Sequence, residues 1–126
     1  MPGTLIARPL LLAALIAAAP MIQADERIEH FEGLPSETLE QALQNLSEYN
    51  RRLAAALDQG ELTAADLAKI HELTYTLENA LERIHADVGA LAETLEEVHL
   101  ASEADDRDTV ITKGRAYLST ARVLVD

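Results

Sequence analysis

Leu39, Leu43, Leu46, Leu53 and Leu57 recur at intervals of three, four and seven, with Asn50 in the gap. That spacing places them on one face of a 3.6-residue helix. Ser36 supplies an expected N-cap with Glu37 in the first turn, so a helix is predicted over 36–58. Asp58 to Leu62 reads as a turn, and Thr63 with Asp66 forms a carboxylate capping box that opens a second helix. From there Leu67, Ile70, Thr74, Leu77, Leu81, Ile84, Val88, Leu91, Leu95 and Val98 alternate steps of three and four without losing phase. Gly89 is the one weak point, since glycine costs about 1 kcal/mol against alanine in a helix interior. With no proline or polar cluster around it, a continuous helix over 64–101 is predicted. Asp105 and Asp106 give a turn and cap. Val110, Gly114, Tyr117, Ala121 and Leu124 then line a third helix over 106–124, with Ile111, Leu118 and Val125 beside them.

The expected fold is all-α: an antiparallel helical bundle or coiled coil with one long central helix flanked by two shorter ones. At 1.5 Å per residue the long helix is about 57 Å and the others about 33 and 28 Å, so each short helix covers half of the long seam. The first turn would set Leu53 against Leu67, Leu46 against Thr74 and Leu39 against Leu81. The second would set Val98 against Val110, Leu91 against Tyr117 and Ile84 against Leu124. Leu73 and Ala80 widen the apolar stripe beyond what two helices cover, and such width calls for more helices. An antiparallel two-fold homodimer of the long helix, centred near Ile84 and His85, meets that need. A break at Gly89 would instead fold the chain back as a four-helix bundle.

The first 24 residues differ from the rest. Arg8 is the only charge before Asp25, and it precedes the apolar run Leu10 to Ala19, which is too short to span a membrane. Residues 1–24 read as a signal peptide cleaved near Ala24. Residues 25–126 then form a single domain in the periplasm or outside the cell, with no stable membrane anchor after cleavage. Residues 25–35, with Gly33 and Pro35, read as an extended lead-in whose Ile28, Phe31 and Leu34 dock. Cleavage removes Arg8 and no acid, taking the net charge from −12 to −13, and it removes both methionines.

That charge argues against nucleic acid as a partner, because phosphate recognition needs clustered cations. It favours a cationic protein partner instead. The absence of cysteine excludes disulfides, thiolate chemistry, zinc fingers and covalent haem. Met/His haem ligation cannot be built once the methionines are gone, and a bis-histidine haem would lack aromatic lining. No cofactor is expected.

His71, His85 and His99 recur every 14 residues beside the apolar seam. In one chain neighbouring members stand about 21 Å apart, too far to share a metal. In an antiparallel dimer His85 would approach its own copy, and His71 would approach His99. Glu82 and Glu96 precede two of these histidines by three, the Glu-x-x-His unit of di-metal bundles, but both glutamates fall on the solvent side. His71, Glu82, His85, Glu96 and His99 are therefore the metal candidates, and a metal-binding or metal-dependent bundle protein is the alternative function. No nucleophile with a base, phosphate-cradling glycine loop or HExxH motif is present, so no catalytic residue is assigned. Arg51 and Arg52 read as solvent-side charges making local ion pairs. Asn50 and Thr74, polar residues in apolar seams, read as register devices.

Glu26 to Gly33, Glu72 to Leu81, and Leu95 to Ser102 carry a resemblance to a family of small exported bacterial helical proteins of unknown function. The resemblance spans the mature chain. It implies export and an all-helical fold, and it brings no activity or site residues. Together these readings point to a non-enzymatic periplasmic protein acting by self-association or by binding a partner.

Overall fold

The computed structural model describes residues 32–126; the signal segment and most of the lead-in fall outside the described residues. Three helices follow one another: α1 (Leu39–Leu57), α2 (Ala64–Glu103) and α3 (Arg107–Val125). Helices α1 and α3 pack on successive halves of α2 and touch each other only where their ends meet over its middle. The long helix runs unbroken through Gly89, so the fold-back bundle does not form.

Each helix start has a local cause. Thr63 Oγ1 accepts from the Asp66 N–H and the Asp66 carboxylate accepts from the Thr63 N–H, closing the expected capping box on α2. Asp106 accepts from the Thr109 N–H at the start of α3. The start of α1 corrects the sequence reading. Thr38, not Ser36, caps it, accepting from the Gln41 N–H at 3.1 Å. Gln41 Oε1 in turn takes the Glu37 N–H, while the Ser36 hydroxyl accepts from Asn45 Nδ2. Ser36 is thus held in an extended segment, and the helix begins three residues later than expected.

That segment, 32–36, is a strap across α2. The Leu34 N–H donates to Thr76 Oγ1 at 2.9 Å, and Asn79 Nδ2 donates to the carbonyls of Glu32 and Leu34 at 3.0 Å each. Asn45 Nδ2 holds the far end by donating to the Pro35 carbonyl. Gly33 makes the close approach possible. Its φ of +68° suits glycine, and a Cβ there would lie 2.7 Å from the Thr76 backbone nitrogen.

The phase of the core is the second correction. Of the expected seam Leu77 is buried and Ile70, Ile84, Leu91 and Val98 are half-buried, whereas Leu67, Leu81, Val88 and Leu95 stay 43% to 56% exposed; Thr76, Ala80 and Ala101 are the other buried residues of α2. Leu39 is buried and lines one depression with Arg83 and Asp87, while Leu81, its expected mate, is 52% exposed. Small side chains decide this. Thr76 and Ala80 let the strap and α1 approach α2 closely, which the leucine row would prevent. In α3 the expected stripe Val110, Gly114, Tyr117, Ala121 and Leu124 is half-buried and faces inward.

Two glycine substitutions should therefore move stability in opposite directions. Gly33→Ala meets both a left-handed φ and a backbone collision, and should cost about 1–3 kcal/mol. Gly89→Ala meets open space in a helix interior and should gain up to about 1 kcal/mol. Urea midpoints followed by circular dichroism read both; a loss at Gly89 would contradict the continuous α2.

Candidate interaction face

Residues seven apart in a helix share a face. On α2 the row Leu67, Thr74, Leu81, Val88, Leu95 and Ser102 is the apolar row that α1 and α3 leave uncovered, with its leucines and valine about half exposed. The parallel row Ile111, Leu118 and Val125 on α3 is likewise exposed. The two rows adjoin: Ser102 and Ile111 line one shallow depression at the α2–α3 turn. On α1, Leu57 and Asn50 are exposed and Leu43 is half-buried. That row stands about 140° round the helix from Asn45, which faces the strap. Three uncovered rows thus lie on the flank of the molecule opposite the strap.

The charges around these rows follow a pattern. Beside the α2 row runs a second one, His71, Glu78, His85, Ala92 and His99, and of the nine acids on α2 only Glu78 falls in either row. Arg107, Arg115 and Arg122 stand three or four residues from members of the α3 row, hence on the same side of that helix. Most other acids cap helices or face solvent. Glu48 accepts from Arg51 at 2.6 Å and Arg52 at 3.0 Å, as the paired arginines led one to expect, and those bonds hold its carboxyl below the usual range. Lys113 reaches Glu97 across α2 and α3 at 2.5 Å. Being exposed to solvent, such pairs contribute little to stability.

The metal candidates do not converge. His71, Glu82, His85, Glu96 and His99 are all exposed, and the described residues hold no group of three or more histidines and acids near enough for one ion. His71 Nε2 lies 3.1 Å from the Tyr75 hydroxyl, and His99 Nε2 lies 3.4 Å from Glu103. Glu82 borders a depression beneath the strap with Glu32, Pro35, Asn79, Arg83 and Ala86.

Sequence reasoning missed the junction at mid-helix. Arg83 Nε donates to Asp87 at 2.8 Å, half-buried where the start of α1 and the end of α3 meet, with Thr38, Leu39, Thr120 and Val123 around it. The Arg-x-x-x-Asp spacing was the available signal; it reads as a solvent pair until α1 and α3 are known to meet there.

A family model described as "Family of unknown function (DUF6746)" matches residues 3–126, and the chain belongs to that family. No curated protein and no solved structure matches the chain. No helix among the described residues is long and apolar enough to cross a membrane.

The caps make the acid limb of stability predictable. The Thr63 hydroxyl and backbone N–H hold Asp66 below the ordinary 3.8, and Thr109 does the same for Asp106. A carboxyl lowered by folding stabilises above its unfolded value and loses that contribution as pH falls through the folded one. The thermal midpoint of Asp66→Asn should therefore lie below the parent's at pH 7, with the gap closing below pH 3.8. A gap that stays constant as pH falls through 3.8 and further into acid would show that the charge plays no part.

Proposed function

We propose that this family member is a non-enzymatic, exported protein that works through its uncovered apolar face, by self-association or by holding a partner. One observation carries the reading: two adjoining rows, on α2 and α3, leave Leu67, Leu81, Val88, Leu95, Ile111 and Leu118 about half exposed in a chain of net charge −12. Contiguous apolar patches of this extent on a soluble protein mark interaction sites. The signal-like N-terminus supports export, and the lack of any nucleophile-and-base arrangement supports a binding role. Metal dependence gains no observation in its favour, since the five candidate side chains are dispersed and solvated.

The test uses the chain recovered from the periplasm, expected to begin at Asp25. The parent should sediment as a complex heavier than a single chain, or crosslink to a partner in intact cells. Leu81→Glu with Leu95→Glu should abolish that association while leaving the helical circular dichroism signal intact. A monomeric, uncrosslinked parent indistinguishable from the variant would refute the reading.

A further inference from the structure

We infer that the face is covered by a second copy of this chain, reversed about a two-fold axis that passes between Leu81 and Val88, so that two three-helix protomers complete a four-helix cross-section. The inference rests on the preceding reading that the face is an interface, and adds which partner it takes and in what register.

The row spacing is the first argument. Leu67, Thr74, Leu81, Val88, Leu95 and Ser102 are placed symmetrically about the point between 81 and 88. When the helix is reversed on its copy, Leu81 meets the partner's Val88, Thr74 meets the partner's Leu95, and Leu67 meets the partner's Ser102. The short helices obey the same operation. Because α1 and α3 lie end to end along α2, reversal brings α3 beside the partner's α1. Ile111 then comes level with the partner's Asn50, and Leu118 with the partner's Leu43. These pairings reuse one operator and need no adjustment, which is what an isologous interface requires. At every level along the axis four helices enclose the apolar rows.

Area and charge agree. The α2 row from Leu67 to Leu95 spans about 42 Å, and adding the neighbouring helix edge gives a face about 20 Å wide. That is roughly 800 Å² per copy, the size of a standard stable interface. A strongly acidic chain meets itself most readily over an acid-poor surface, and the two rows of this face hold one acid of α2, Glu78, with Glu103 beside His99 at the end. On α3, Arg115 flanks the row, while Arg107 and Arg122 are paired with Asp105 and Asp126.

The absence of cysteine makes the register directly readable. In this arrangement position 85 approaches its own copy, and position 71 approaches position 99 of the partner. His85, His71 and His99 are exposed in the protomer, so replacing them leaves the fold in place. With a short bis-maleimide, His85→Cys should crosslink to itself. His71→Cys and His99→Cys should each fail alone and crosslink when the two are mixed and allowed to exchange. Expected rates exceed that of Glu93→Cys, on another face of α2, on the order of a hundredfold, since held thiols act at millimolar rather than micromolar effective concentration. Self-crosslinking of His71→Cys, or equal rates at 85 and 93, overturns the two-fold. A monomeric chain that captures a different protein through Leu81 overturns this inference while leaving the interface reading standing, and a monomer with no partner removes both.

Discussion

The rest of the molecule depends on an imbalance of coverage on α2. Forty residues of helix carry more apolar surface than two nineteen-residue helices can cover from one side. Which side they take is decided by closeness of approach. Thr76, Ala80 and Ala101 are small enough for α1, α3 and the strap to come near, and close packing of backbone and small side chains brings more atoms into contact than a looser fit on leucines. The leucine row is left at the edge, and the protomer becomes a one-sided structure with an uncovered flank.

The strap reinforces that choice. Its backbone polar groups find partners on α2: Thr76 Oγ1 accepts from the Leu34 N–H, and Asn79 Nδ2 donates to the Glu32 and Leu34 carbonyls. By occupying one flank of α2 it leaves the opposite flank as the open one. At mid-helix the Arg83–Asp87 pair fills the gap between the ends of α1 and α3, so the two short helices read as one interrupted helix lying along the long one.

Much of this architecture was legible in the sequence, for reasons that can be named residue by residue. Thr63 with Asp66, and Asp106, announced helix starts because capping is local chemistry. The unbroken heptads around Gly89 showed that α2 continues, since one glycine costs too little to break so long a register. The phase of the core was legible only in part: Leu77 and its row face inward as expected, and Leu81 and its row do not. Periodicity identifies apolar rows, yet two neighbouring rows look alike until the partner helices choose one, and Thr76 and Ala80 carry little hydrophobic signal. The cap at Thr38 was misplaced for a related reason: Ser36 is an equally good cap, and only its bond to Asn45 nine residues away shows that it belongs to the strap. Of the interaction face, Ile111, Leu118 and Val125 were visible beside their stripe, whereas Leu67, Leu81, Val88 and Leu95 read as seam residues until the fold left them exposed. The histidines were read correctly as one stripe, while their solvation could be seen only in three dimensions.

An acidic helical chain with one uncovered flank is an incomplete bundle, and the account holds that a reversed copy completes it side by side rather than end to end. Small-angle X-ray scattering on the mature chain tests this most directly, because it reads mass and length together. The account predicts twice the mass of one chain with a maximum dimension still close to the roughly 60 Å of α2 alone. Single-chain mass, or doubled mass at nearly twice that length, would contradict it.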